Sequence, residues 1–522
     1  METKLIPSVT HPAGEPEIIS AALRAQAALA VETFGGRVHV EWNPQAAVTP
    51  LGQLPFFIEF LKTAELFQPW VEECPLERRS PNAPANVDLL GTLLLSVLAG
   101  QRRYAHISAI RADGVNPELL GMSRVLSEDA VRRAFLGADA PACAAWLQKH
   151  LQFAYAPLLH EPWILDTDVT VKPLYGHQEG AVVGFNPQKP GRPSHTYHTY
   201  FIANLRLVLD VEVQAGNHTA ALYSRPGLWA LLERLGAGAR PAFIRGDCAW
   251  GNEGVMAEAE EHGVDYLFKL KQSTKVRKLI QEAFAREDWS AAGQGWEGVE
   301  DQLRLSGWRR ARRVIVLRRP VKAEPALKKK SGPGQLELSF METLKPGEFF
   351  EYAVLVTSLN DPVLTLAQHY RERADAENNF DEIKNQWGWG GYTTHDLGRC
   401  QVMARVVALI YNWWSLFVRL AIPERHAEAI TSRPLLLHAI AKLTRHGGQS
   451  TITVTSTHAK MGAIRRMLEG VNRVLGRLRA TAEQLSRPER WRWLLSVIFR
   501  NYLGGRLLNA PVLLENLAAA TP

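Results

Sequence analysis

Apolar and polar positions alternate with different periods along the chain, and the changes of period divide it. Residues 17–35 and 51–150 repeat apolar side chains at helical spacing, and the run Leu89–Leu98 is too long for a half-exposed strand. A helical amino-terminal region, residues 1–155, is expected. From about residue 160 the texture becomes that of strands, over Trp163–Val171, Thr199–Leu205 and Leu207–Val213. A helix over 218–236, a strand over Ala242–Asp247, a helix over 252–262 and a strand over Tyr266–Leu270 follow. Three β segments followed by alternating α and β predict a mixed α/β fold, a mixed sheet flanked by helices. Its first part covers 156–270 and its second 358–425. Between them, residues 271–357 carry strand-like runs (Arg313–Leu317, Tyr352–Thr357) and a polar Pro/Gly stretch, Lys328–Gly334, and read as a β-rich insertion with a loop. Residues 426–522 read as a helical carboxy-terminal region.

Composition narrows this little. A chain of 522 residues suits two or three structural units, and its 46% hydrophobic and 22% charged residues are those of a soluble globular protein. A formal charge of +7 and a pI near 9.2 permit a polyanionic partner. Four scattered cysteines without a CxxC pair suggest neither a zinc ribbon nor a disulfide framework. The amino terminus has no basic stretch followed by an apolar run, so no signal peptide is expected. The apolar helix Cys400–Ala421 contains Arg405, Asn412, Arg419 and two tryptophans and is expected in a protein core, with no membrane involved.

Two places carry chemistry. In Leu165-Asp-Thr-Asp-Val-Thr170, Asp166 and Asp168 share one face of a strand, and Asp247 ends a later strand. A carboxylate inside an apolar strand needs a partner. That partner is either an arginine or backbone amide, or a divalent cation such as Mg²⁺, which takes hard carboxylate oxygens. Further on, Tyr370–Gln386 reads as one charged helix. At about 100° per residue, with Tyr370 at 0°, Arg373 falls at about 300°, Glu377 at about 340° and Lys384 at about 320°, along roughly 21 Å. Such a stripe can put Glu377 on a metal and Arg373 and Lys384 on phosphate oxygens; a solvated face with paired charges is the other reading. Asp381 falls near the same face. Ser127–Leu136, a capped turn presenting Arg132 and Arg133, is either a DNA-reading helix or an ordinary solvated one. The arginines from Arg309 to Arg319, with Lys328–Lys330, form a basic concentration that is either a DNA track or a charged sheet edge. His195 and His198 lack the helical spacing of a zinc pair and read as a solvated loop.

The spacing Tyr370-(2)-Arg373-(3)-Glu377-(6)-Lys384 resembles the Y-(2)-R-(3)-E-(6)-K signature of bacterial insertion-sequence transposases, DDE enzymes with an RNase H-like catalytic core. Asp168-Val-Thr170 resembles their first-strand element and Arg245-Gly-Asp247 their second. Gly176–Gly180 and Gly184–Pro193 resemble the loop after the first strand in one branch. The resemblance covers roughly residues 95–420. It implies Asp168, Asp247 and Glu377 as catalytic ligands of two Mg²⁺ (or Mn²⁺) ions, with Asp168 preferred to Asp166 because it directly precedes the x-Thr of the motif. It further implies cleavage and strand transfer at the inverted-repeat ends of an insertion sequence, through a hairpin, by a homodimer acting on double-stranded DNA in the bacterial cytosol. Tyr370, Arg373, Lys384 and Arg245 would touch DNA, and Trp308, or Trp387 and Trp389, would either stack on an extruded base or, as suits most of fifteen tryptophans, pack in a core. A nuclease of the same fold without strand transfer, and a non-catalytic DNA-binding relative, are the alternatives.

Overall fold

The computed structural model describes residues 28–508 apart from 44, 78–79, 81, 188, 322–342, 346–347 and 482–483. Its first element is a hairpin, β1 (Leu29–Thr33) against β2 (Gly36–Val40). The helix expected over 17–35 is therefore wrong for its last residues, where Gly35-Gly36 makes a turn with Gly36 at φ +109°; residues 17–27 lie outside the described part. The helices expected over 51–150 are present, among them Leu54–Thr63, Asn86–Leu98 and Ala140–Tyr155. The last begins where the Asp139 side chain accepts a hydrogen bond from the Ala142 amide (3.3 Å), with proline in its first turn. A two-residue strand, β3 (Val48–Thr49), precedes them.

The strands expected from residue 163 onward are β4 (Ile164–Pro173), β6 (Pro193–Ile202), β7 (Leu207–Ala215), β8 (Phe243–Gly246) and β9 (Asp265–Lys269), and a two-residue strand, β5 (Val182–Val183), not expected from the sequence, pairs with β6. They lie in the order β7-β6-β4-β8-β9. β6 runs antiparallel to both its neighbours, whereas β4, β8 and β9 are parallel. The insertion opens on a helix, Thr274–Phe284, that buries Val276, Leu279, Ile280 and Ala283 at helical spacing. Its strands are β10 (Ser290–Gly293), β11 (Trp296–Leu303), β12 (Arg312–Val321), β13 (Thr343–Lys345) and β14 (Glu348–Thr357). They form no sheet of their own: β14 pairs antiparallel with β9, Leu355 beside Lys269, and extends the central sheet to eleven strands. The Lys328–Gly334 stretch lies outside the described residues.

The helix Leu397–Ala421 sits at the centre, its most apolar stretch 94% buried. It packs on β7 and on helices from both ends of the chain, including Ala140–Tyr155, Met461–Ala480 and Arg487–Ile498. The polar residues that spoke against a membrane span are the ones that join it to the sheet. Asn412 donates to the Val208 carbonyl (2.8 Å) and accepts from the Val208 amide (2.9 Å), and Arg405 pairs with buried Asp210 (2.7 Å). The carboxy-terminal region is not wholly helical. β15 (Ala441–His446) and β16 (Gln449–Val454) form a hairpin around Gly447-Gly448, both at positive φ, and β15 also pairs with β3.

Candidate active site

The parallel pairing of β4 with β8 sets Asp166 beside Arg245. Two residues on, Asp168 and Asp247 reach the same level of the sheet and face the same side. Chain direction then separates them: β4 continues, while β8 ends at Gly246 and turns. That turn is fixed by Asp247 itself, whose Oδ1 accepts from the Ala249 amide (2.9 Å) and whose carbonyl accepts from the Trp250 amide (3.1 Å).

Asp166 and Asp168 meet different fates. Both Asp166 oxygens accept from Arg245 (2.5 and 2.6 Å), and the two side chains are 1% and 0% exposed. Arg245 also donates to the His369 carbonyl. Arg245 thus belongs to the interior, which corrects the expectation that it touches DNA. Asp168 instead opens on a cavity of about 490 Å³ that Asp247, Phe185, Asn186, Trp250 and Lys384 also line. Burial, above all, pushes its carboxyl up to about 6; Arg373 opposes the rise, and Asp247 and Glu377 add to it.

Tyr370 to Gln386 is not one helix. Val363–Arg371 ends, Glu372 and Arg373 form a tight turn, and Ala374–Gln386 follows. Tyr370 is therefore on the first helix and Glu377 and Lys384 on the second, yet all remain beside the acidic pair. Arg373, only 5% exposed, donates to Asp168 Oδ2 (3.0 Å) and to Glu377 Oε1 (2.8 Å). Its guanidinium joins the two carboxylates. Burial disfavours its charge, but Asp168, Tyr370 and Asp247 together raise its pKa above the ordinary arginine value. The Glu377 side chain is otherwise open to solvent at 66%. Half-buried Tyr370 has its phenol pushed up, chiefly by burial.

Several expected contacts are absent. Trp308 is 6% exposed beneath Arg312, whose guanidinium lies 5.4 Å from its ring centroid, and Trp387 and Trp389 are buried as well, so none of the three offers a face to a base. The basic concentration of the insertion is largely neutralised: Arg312 pairs with Glu253 and Glu260 (2.6 and 2.8 Å), Arg313 with Glu300 (2.6 Å) and Arg318 with Glu297 (2.8 Å). Arg132 and Arg133 both pair with Asp129. His195 and His198 lie buried inside β6 rather than in a loop; burial lowers both, and His198 falls to about 4. Asp381 is exposed and accepts from Asn385 one turn on (2.6 Å).

Two features had no place in the sequence reading. Glu382, 2% exposed, accepts from His426 (2.8 Å), from the Trp387 indole (3.2 Å) and from the Ala429 amide (3.0 Å), and ties the Glu377 helix to the segment after the central helix. No local pattern marks it, because two of those partners lie more than forty residues away. The second is a cationic group: Lys172 at the end of β4, Lys384, and Arg102 and Arg103 from the loop after Asn86–Leu98. Burial foremost, then these three neighbours, pull the Lys172 ammonium below its ordinary value. Gly391 admits that loop, for a Cβ there would lie 2.0 Å from the Arg102 carbonyl oxygen.

Among the described residues no cluster of three or more His, Cys, Asp or Glu side chains is arranged to hold a metal ion. The donors nevertheless have the right chemistry, since Asp168, Asp247 and Glu377 are hard oxygen ligands and the first feels the charge of the other two. The Arg373 guanidinium already bonds two of the three, Asp168 and Glu377.

A mixed sheet with two aspartates at one level on parallel neighbours, and a glutamate joined to the first of them through an arginine, is the frame of a carboxylate-based site. The model of the family described as Transposase DDE domain group 1 matches residues 73–475, and the chain belongs to that family, an enzyme class acting on DNA. No curated protein matches the sequence. Among solved structures, the cryo-EM structure of the piggyBac transposase synaptic complex with hairpin DNA is similar at 9% identity, covering 86% of this chain and 85% of that one, with a TM-score of 0.35.

Proposed function

We propose that this protein is a cut-and-paste transposase that cleaves DNA at the inverted-repeat ends of a bacterial insertion sequence and transfers the freed strand. The observation that carries the reading is the common level of Asp168 and Asp247 on β4 and β8, with Glu377 joined to Asp168 through Arg373. The strand order β7-β6-β4-β8-β9 with β6 alone reversed supports an RNase H-like core of residues 156–270 and 358–425, interrupted by 271–357 and flanked by a DNA-binding amino-terminal region and a carboxy-terminal one.

Asp168, Asp247 and Glu377 would hold Mg²⁺ or Mn²⁺, two ions, which when bound activate the attacking oxygen and stabilise the leaving one. The protein's own part is positioning. Arg373 exchanges its carboxylate partners for a phosphate oxygen when DNA arrives, and so frees Asp168 and Glu377 together. Lys384, in the cavity wall, takes a second phosphate oxygen, and the Tyr370 phenol borders the same charges. In the first step water attacks the scissile phosphorus and the bond to the 3′ oxygen breaks, leaving a 3′-OH. In the second that 3′-OH attacks a phosphorus of the opposite strand and displaces that strand's 3′ oxygen, closing a hairpin; water then reopens the hairpin, and the 3′-OH attacks a target phosphorus and displaces the target's 3′ oxygen. The paired ends call for a homodimer in the synaptic complex, working in the bacterial cytosol.

The test is nicking of a duplex carrying the DNA that flanks the gene, by Asp168→Asn, Asp247→Asn and Glu377→Gln made singly. Each is expected to lose nicking while keeping binding. Substantial cleavage by any one of them removes that residue from the role given to it.

A further inference from the structure

The positive charge of the chain is not spread along it. Residues 426–522 hold fourteen lysines and arginines against five aspartates and glutamates, a formal charge of +9 where the whole chain has +7, so residues 1–425 together carry −2. Residues 1–155, with thirteen basic and sixteen acidic side chains, carry −3. The excess that permits a polyanionic partner therefore lies after the central helix, outside the strands that bear Asp168 and Asp247.

Within that region the helix Met461–Ala480 sorts its side chains by face. Ile464, Leu468, Val471, Leu475 and Leu478 are buried, and the helix packs on Leu54–Thr63 and on the central helix. On the opposite side stand Arg466, Arg473 and Arg477; at about 100° and about 1.5 Å per residue they share an arc of about 40° along roughly 16 Å. Arg466 and Arg473 are exposed and Arg477 is half-buried. Among the described residues the three have no carboxylate partner, whereas Arg465 on the same helix pairs with Glu469 (2.7 Å) and Arg479 with Glu59. The surface beside the three is low, because Gly462, Gly470 and Ala480 fall within about 40° of them. A Cβ on Gly470 would meet no neighbour within 4 Å, and one on Gly462 only the tip of Arg466, 3.7 Å away. Glycine weakens a helix relative to alanine, and no packing within the chain calls for it at either position.

A low helix face with three unshielded guanidinium groups in line suits a phosphate backbone, which can come close enough for the forks to bond its oxygens. One strand of B-DNA carries a phosphate per 3.4 Å of axis, so roughly 16 Å of helix has room for three such contacts. A lipid surface fits less well, because the apolar side of this helix is already buried in the protein and has nothing left to insert. We propose that the face of Met461–Ala480 bearing Arg466, Arg473 and Arg477 binds the backbone of duplex DNA and gives the protein a sequence-independent hold on its substrate, separate from the cleavage site. This rests on the reading that the chain acts on DNA.

The test is a salt titration of the full chain in EDTA against a short fluorescein-labelled duplex of arbitrary sequence, followed by anisotropy. Arg466→Gln, Arg473→Gln and Arg477→Gln made together are expected to weaken binding about tenfold at low salt and to lower the slope of log affinity on log salt by about 3. Arg465→Gln with Arg479→Gln, at the paired arginines of the same helix, should leave the slope nearly unchanged. Gly470→Gln raises a side chain in the open space beside the stripe; it should weaken binding while the melting temperature falls no lower than the wild type's. An unchanged slope in the triple variant overturns the proposal and leaves the face to an acidic protein partner. Equal losses in the paired-arginine control, which would reduce the effect to bulk charge, or undiminished binding by Gly470→Gln, overturn it as well. No cleavage is read, so the two readings fail separately: a slope effect in a chain that never nicks DNA removes only the catalytic one, an unchanged slope in a chain that does nick removes only this one, and a wild type that binds no duplex removes both.

Discussion

Arg245 holds Asp166 through two hydrogen bonds of 2.5 and 2.6 Å, and neither side chain reaches solvent. Asp168, two residues along the same strand, faces a cavity instead. The two aspartates therefore fail differently when changed. Asp166→Asn leaves a buried guanidinium without its counter-charge and with one acceptor oxygen in place of two, and is expected to lower stability by about 3–5 kcal/mol in urea unfolding. Asp168→Asn removes a carboxyl that burial already disfavours, and its unfolding midpoint should move little while nicking is lost.

If Asp168 and Glu377 hold the proposed metal ion, Arg373 competes with it for their oxygens. Replacing Arg373 by Gln takes away the cation joined to Asp168 and Glu377. Mn²⁺ titration of the DNA-free protein, followed by electron paramagnetic resonance, should show binding about tenfold tighter than in the wild type. Unchanged or weaker binding would mean that the guanidinium does not occupy the metal's place.

Asp168 gives the site a pH dependence whose sign is fixed. Its folded value, about 6, lies above the ordinary 3.8, so the protonated carboxyl favours the folded state. That contribution is complete below pH 3.8 and disappears as pH rises through 6. Ion binding requires the carboxylate and runs the other way, with Mn²⁺ affinity falling as pH drops below 6. In Asp168→Asn the stability profile between pH 4 and 6 should lose this component; an unaltered profile would deny Asp168 the raised value.

Glu382 and Glu377 share a helix and separate structure from chemistry. Burial alone would raise Glu382, but the hydrogen bond and charge of His426, with the Trp387 indole and the Ala429 amide, bring it below 4.5. Its stabilisation is present above pH 4.5 and is lost as pH falls through the lowered folded value. Glu382→Gln should cost about 1–3 kcal/mol at neutral pH. Glu377→Gln, on an exposed side chain, should leave the thermal midpoint where it is, so equal losses in the two variants would undo the distinction.

What the sequence conveyed, and what it withheld, follows from the range of each interaction. The alternation in Trp163–Val171 and Leu207–Val213 is local, and β4 and β7 fall where it put them. The spacing from Tyr370 to Lys384 is local too, and the residues it groups do lie beside Asp168 and Asp247, while it hides the turn at Glu372–Arg373, since a tight turn barely disturbs helical phase. The Gly447-Gly448 hairpin is legible in principle, flanked by the alternating Lys442-Leu-Thr444 and Thr451-Ile-Thr453, but these segments are short and lie among helical patterns. The ion pair of Arg245 with Asp166 spans 79 residues, and no pattern within either strand distinguishes a guanidinium turned inward from one offered to DNA. Trp308 is buried under Arg312, the core-packing reading of the two the sequence left open, because a tryptophan near arginines reads alike whether the cation covers it or flanks a vacant face.

The helix Leu397–Ala421 is shared property. Helices from before the sheet and after it, and β7 itself, cover different sides of one apolar rod. Losing either flank would uncover the same rod to water. The helices before the sheet and those after it, remote in sequence, share this rod with β7, so a substitution that opens either flank is expected to destabilise the sheet that carries the aspartates without touching them.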